Sequence, residues 1–229
     1  MPRHFEQELQ SLTTTLIKMG SLAEDAIRTA IRALLETDPV LAKHVIDGDE
    51  RINSLEIEID NAIIDLLALQ QPVAGDLRMI LSAQKINNDL ERIGDHAVNI
   101  AESALTIAHK ASPDTLLELP KMTEIAKAML LDALDSFIHL NPDLARTVLR
   151  RDDDIDNLNR LMTAEVVDML KKGSKTVEEG LELIRVSRNL ERVGDLATNI
   201  AEEVIFLTQA RVVKHHAEEK GTKRSDEPT

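Results

Sequence analysis

Leu90-Glu-Arg-Ile-Gly-Asp-His-Ala-Val-Asn-Ile-Ala-Glu102 returns one hundred residues later as Leu190-Glu-Arg-Val-Gly-Asp-Leu-Ala-Thr-Asn-Ile-Ala-Glu202, with ten of the thirteen positions identical. A second echo lies upstream. Asp38-Pro-Val-Leu-Ala-Lys-His-Val-Ile46 matches Asn141-Pro-Asp-Leu-Ala-Arg-Thr-Val-Leu149 at an offset of 103. That offset also aligns Asp49 with Asp152, Ile52 with Ile155, Asn53 with Asp156 and Leu55 with Leu158. The chain is an internal duplication. The offset falls by three between the two blocks, which predicts a shorter loop between them in the second copy.

Each copy reads as three helices. Asp38-Pro39 and Asn141-Pro142 pair an N-capping side chain with Pro at the first helical position. Gln71-Pro72 and Lys172-Gly173-Ser174 are breaks. Between breaks, apolar residues recur at spacings of three and four: Ile52, Leu55, Ile59, Ile63 and Leu66, then Ile93, Ala97, Ile100 and Ala104. The predicted helices are 4–36, 39–69, 74–110, 120–140, 142–172 and 176–216. The fold class is all-α, two tandem three-helix bundles, with a single six-helix bundle as the alternative. The expected domains are 1–110 and 116–216, with a joint at 111–115 and a charged, disordered tail at 217–229.

Composition narrows the function. Phe5, Phe137 and Phe206 are the only aromatics, so the core must be aliphatic. A net charge of −14 disfavours a nucleic-acid binder, which needs clustered Lys and Arg. The absence of Cys excludes disulfides and thiolate metal sites. No apolar run approaches the ~18 residues of a membrane span, and the first residues lack a signal peptide's apolar segment. The expectation is a cytoplasmic protein without membrane insertion, held at most peripherally at the inner membrane face through partners.

The third helices carry acids in register. Glu91 and Asp95 share a face, being four apart; Glu102 lies within about 20° of Glu91 at 100° per residue. Glu191, Asp195 and Glu202 repeat this. On the middle helices Asp49, Asn53, Glu56 and Asp60 fall on one face, as do Asp152, Asp156 and Asn159. Counting from the turns places Asn53 level with Glu91, Asp49 with Asp95, Asp156 with Glu191 and Asp152 with Asp195. If the helices are neighbours, carboxylates gather at one height in each unit. Like charges at this spacing repel, and a bound cation reverses the sign. Oxygen-only ligands suit Mg²⁺, Ca²⁺, Mn²⁺ or iron in a carboxylate-rich cluster. The expected metal ligands are thus Asp49, Asn53, Glu91 and Asp95 in one unit and Asp152, Asp156, Glu191 and Asp195 in the other, with Glu102 and Glu202 as secondary candidates. Set against this, acids on a long helix are ordinarily solvated, and Arg92 and Arg192 stand ready as surface partners.

Other chemistry is poorly represented. No His stands three residues after a Glu, so the di-iron Glu-x-x-His pair is missing. His96 is replaced by Leu196 in the repeat and reads as a surface residue; His215 and His216 sit in the charged tail. There is no Gly-rich phosphate loop and no Gly-x-Ser-x-Gly. Met79, Met129, Met162 and Met169 read as core filler. Gly94 and Gly194 cost ~1 kcal/mol each inside a helix, which points to close helix approach.

The doubled Glu-Arg-x-Gly-Asp blocks, Gln71-Pro-Val-Ala-Gly-Asp-Leu-Arg78 and Asn199-Ile-Ala-Glu-Glu-Val-Ile-Phe-Leu207 together resemble the PhoU family over essentially the whole chain. The resemblance implies a non-enzymatic negative regulator of phosphate uptake and phosphate-starvation signalling. Its partners would be the ATPase of a phosphate ABC transporter and a membrane sensor kinase. It also implies Glu/Asp-x-x-x-Asp motifs holding multinuclear metal clusters, here Glu91/Asp95, Glu191/Asp195, Asp49/Asn53 and Asp152/Asp156. Asn53 departs from the acidic pattern, so the first site is expected to be the weaker or differently composed one. A homodimer is compatible with this reading. Two alternatives are a carboxylate-bridged metalloenzyme and an acidic helical scaffold without ligand.

Overall fold

Both middle helices begin where the Asx-Pro pairs put them. Asp38 Oδ1 accepts from the amides of Val40 at 2.8 Å and Leu41 at 3.2 Å. Asn141 Oδ1 accepts from those of Asp143 and Leu144, both at 3.1 Å. The computed structural model describes residues 2–107 and 118–209. The expected joint at 111–115, the tail at 217–229, His215, His216 and the predicted helix ends at 108–110 and 210–216 lie outside the described residues.

Among the described residues there are seven helices: α1 (Pro2–Leu35), α2 (Pro39–Gly48), α3 (Glu50–Gln70), α4 (Ala74–Ile107), α5 (Leu119–Ile138), α6 (Pro142–Lys171) and α7 (Val177–Gln209). The helix predicted over 39–69 is divided at Asp49. There the Asp49 amide reaches back only three residues, to the Ile46 carbonyl at 3.4 Å, and Ile52 N–H bonds the Asp49 carbonyl at 2.9 Å. Gly48 supplies the weak point; its counterpart Arg151 leaves α6 continuous.

The predicted shorter loop is also corrected. Three residues, 71–73, join α3 to α4, whereas five, 172–176, join α6 to α7. The extra residues of the first copy lengthen the helix ends instead. Gln71 closes α3 in the left-handed region (φ 47°) ahead of Pro72, and Gly173 plays the same part after α6 (φ 67°).

Helices α3, α4, α7 and α6 lie side by side in that order, backed by α1 and α5. α4 and α7 run antiparallel along one another: Lys85 reaches Glu203 at 2.6 Å at one end, and Arg185 reaches Glu102 at 2.8 Å at the other. The two units are thus packed flank to flank, related by an approximate two-fold axis. Their buried aliphatic residues, from Leu12 to Ile205, form one continuous core. Met129 and Met162 are fully buried in it, whereas Met79 and Met169 are half-buried. Gly20 of α1 lies directly against the Leu134 side chain of α5, so the back layer crosses between units without a side chain to hold it off. No helix among the described residues is long and apolar enough to cross a membrane.

Candidate metal centre

The glycines of the two motifs bring each third helix against its middle helix. A Cβ on Gly94 would meet Ile52 Cδ1 at 3.0 Å and Asp49 Oδ1 at 3.1 Å; one on Gly194 would meet Ile155 Cγ2 at 3.0 Å. That contact sets the register of both hairpins. In the first, Asp60 Oδ1 accepts from Gln84 Nε2 and Asn87 Nδ2, both at 2.8 Å. In the second, Ser187 Oγ donates to Asn159 at 2.7 Å. Asp60 and Asn159 therefore act as hairpin latches.

Above the latch the first hairpin collects Asp49, Glu56, Glu91 and Asp95. Burial pushes the Asp49 carboxyl above its usual range, with the Asp95 charge adding to the rise and the Asn53 hydrogen bond opposing it. Burial likewise raises Glu91, reinforced by Asp95, Glu56 and Asp49. Glu56 rises through burial, Asp60 and Asp95. Asn53 donates to Asp49 Oδ2 at 3.0 Å. Its own Oδ1 is buried and has no hydrogen-bond donor among the described residues. A spare buried oxygen beside crowded carboxylates is a donor set that fits a hard cation. Glu56 belongs to this set by position, although the Asp-x-x-x-Asp spacing does not select it.

The second hairpin places Asp156, Glu191 and Asp195 together in the same way. Burial, Asp195 and Asp156 raise Glu191, while Arg192 and Arg188 pull it back. The difference lies in arginine. Arg192 donates to Asp195 Oδ2 at 2.8 Å and lies 3.6 Å from Glu191. Arg92, its counterpart, turns instead to Asp89 at 3.6 Å. Arginine thus pairs directly with the acids of the second cluster, whereas in the first Arg92 only weakly offsets Glu91 from its place beside Asp89. Asp152 lines a recess with Arg92, Arg192, Asp195 and Glu202.

Glu102 accepts from Arg185 across the α4/α7 seam, and this commits it to an inter-unit ion pair. Among the described residues, no three acidic or histidine side chains converge tightly enough to enclose an ion. The clusters are open carboxylate patches on the outer face of each hairpin.

The sequence reading missed the seam itself. His96 is half-buried there rather than a surface residue, its Nδ1 2.8 Å from Asn189 Oδ1. Burial holds its pKa below the ordinary value, opposed by the Asn189 hydrogen bond. Asp89, at the position equivalent to Asn189, hydrogen-bonds Asn199. Asn99 takes a bond from Arg185 at 2.8 Å. Polar residues repeating on the side of the third helix away from its partner were the available signal.

A profile of the PhoU domain matches residues 16–104 and again 119–204. The phosphate-specific transport system accessory protein PhoU homolog of Clostridium acetobutylicum is 37% identical over 210 residues, covering 91% of this chain and 96% of that protein. The crystal structure of PhoU from Pseudomonas aeruginosa superimposes with a TM-score of 0.87 at 36% identity, over 90% of this chain and all of that one. The phosphate transport system regulatory protein PhoU from Streptococcus pneumoniae gives 0.85 at 27% identity, over 92% and all respectively.

Proposed function

This chain belongs to the PhoU domain family, and on that premise we propose that it is a regulatory accessory protein of a phosphate-specific transport system, without catalytic activity of its own. The observation that carries the reading is end-to-end likeness, both copies included, to relatives named as accessory or regulatory proteins rather than enzymes. In finer detail it is a negative regulator. It links the transporter ATPase to a membrane sensor kinase and holds the starvation response off while phosphate is plentiful. Unchanged phosphate uptake and unchanged phosphate-responsive transcription after deletion of the gene would sink this role.

The carboxylate patches serve as regulatory metal sites in the same proposal. Asp49, Asn53, Glu56, Glu91 and Asp95 supply the first, and Asp152, Asp156, Glu191 and Asp195 the second. The weaker compensation at the first patch makes it the tighter of the two, despite Asn53, because Arg192 already pairs directly with Glu191 and Asp195 at the second. Metal bound only to the folded state must raise its melting temperature. Elemental analysis of protein purified without added metal, with Mn²⁺ and Fe²⁺ titrations beside it, tests this. Glu91→Ala is expected to remove the larger share of the thermal shift and Glu191→Ala the smaller. Equal melting of metal-loaded and metal-free protein would count against both sites.

A further inference from the structure

A narrow groove of about 180 Å³ runs between α1 and α3, on the side of α3 away from the carboxylate patch. Its floor is apolar. Leu12, Ile59 and Leu66 are almost fully buried there, and the small Ala62 leaves the space above them open. Its lip is acidic at both ends. Glu58 and Asp65 stand seven residues apart on α3, about 10 Å along the axis at 1.5 Å per residue. Glu8 of α1 lies at the Asp65 end, where it accepts from Gln70 Nε2 at 3.1 Å and faces His4 at 3.2 Å. Thr15 lies toward the Glu58 end; its hydroxyl donates to the Ser11 carbonyl at 3.1 Å and keeps its lone pairs for another donor. Among the described residues no Lys, Arg or His lines the groove, and neither Glu58 nor Asp65 makes an ion pair. The second copy treats the equivalent surface differently. At an offset of 103, Leu161 replaces Glu58 and Glu165 replaces Ala62. Asp168, the counterpart of Asp65, is paired with Lys172 at 2.6 Å, whereas the residue four after Asp65 is Leu69. The charge balance that the second copy supplies from its own helix is left open in the first.

We propose that the α1/α3 groove binds a linear aliphatic polyamine. One terminal ammonium lies between Glu8 and Asp65, and the other lies beside Glu58 and the Thr15 hydroxyl. The methylene chain between them covers Leu12, Ile59 and Leu66. A metal ion would meet one acidic end and leave the apolar floor unused. A monoamine would satisfy one end only. Two cations joined by an apolar chain match both ends and the floor together, and burial of the methylenes adds to the affinity in proportion to apolar area. This goes beyond the phosphate-regulator reading and does not rest on it.

The test titrates spermidine into the full chain, metal-free and carrying ¹³C-labelled Ile and Leu methyls, and follows it by NMR. Saturable shifts are expected at Leu12, Ile59 and Leu66. Glu58→Gln with Asp65→Asn should weaken that binding about tenfold, the loss of two partly exposed ion pairs. Asp153→Asn with Asp154→Asn removes the same charge from an exposed stretch of α6 and should leave it unchanged. Ala62→Leu fills the floor while keeping every carboxylate, and should weaken binding as much as the acid pair does. n-Butylamine and Mg²⁺ should not reproduce the shifts at the same concentration. Absence of saturable shifts at these methyls overturns the proposal. So does equal weakening by the two pairs of amide variants, which would reduce the effect to net charge. A Leu/Lys helical peptide that saturates the same methyls more tightly than spermidine would also overturn it, by assigning the groove to a basic protein segment.

Discussion

Asp89 and Asn189 hold the same place in the two copies, but only one of them carries a charge. Asp89 is 8% accessible at the α4/α7 seam. Burial lifts its pKa from 3.8 to about 6, against the pull of Asn199, Arg92 and Lys85; Glu203 adds to the rise. The folded protein thus binds its proton more tightly than the unfolded chain does. Its contribution is complete below about pH 4 and is lost as pH rises toward 6. A shift of about two units sets a ceiling of ~3 kcal/mol on the loss. Asp89→Asn copies the chain's own solution at Asn189 and keeps a hydrogen-bonding partner for Asn199. In metal-free protein it is expected to raise the melting temperature at pH 7 and leave it nearly unchanged at pH 4. Equal gains at both pH values would show that the ionisation is not the cause.

At the scale of the helices, Gly94 and Gly194 decide how closely α4 and α7 approach their middle helices. The 3.0 Å contact a Cβ would make with Ile155 Cγ2 involves a β-branched methyl with little freedom to turn. Gly194→Val adds two further methyls at that point. It is expected to cost about 2–3 kcal/mol by overpacking, read as a lower denaturation midpoint at unchanged m. This contact also shows what was legible in the sequence. A glycine repeated inside an amphipathic stripe needs a neighbour pressed against it, and the apolar spacing, the Asx-Pro starts and the register of the acids follow from helical geometry alone. The division at Asp49 was harder to see, because it turns on one residue, Gly48 against Arg151. The unequal arginines were not legible. Arg92 and Arg192 occupy identical motif positions, each three residues before an Asp (Asp95, Asp195); Asp89 against Asn189 separates their surroundings, and the motif alone does not say which aspartate each arginine takes. The seam with His96 was hidden because a single helix stripe does not reveal which second helix covers its flank.

Across the whole molecule, the duplication behaves as one body rather than as two beads. Among the polar ties between units the Arg185–Glu102 ion pair is exposed, its partners 39% and 50% accessible. Pairs of this kind contribute ~0–1 kcal/mol each. The apolar core, in contrast, runs unbroken through α1, α4, α5 and α7. Arg185→Ala is therefore expected to cost under about 1 kcal/mol and to leave a single cooperative transition. The stronger consequence concerns separation. The second copy alone, residues 118–229, would expose the face of α7 that α4 covers and the face of α5 that α1 covers, including Leu134 where Gly20 now lies. Apolar surface of that extent drives association. The fragment is expected to self-associate or bind a hydrophobic dye in sedimentation and fluorescence experiments. Adding the first copy as a separate chain should restore a soluble one-to-one complex. A monomeric, dye-silent fragment with its own sharp melting transition would show instead that each unit folds independently, and that the seam is only a docking surface between them.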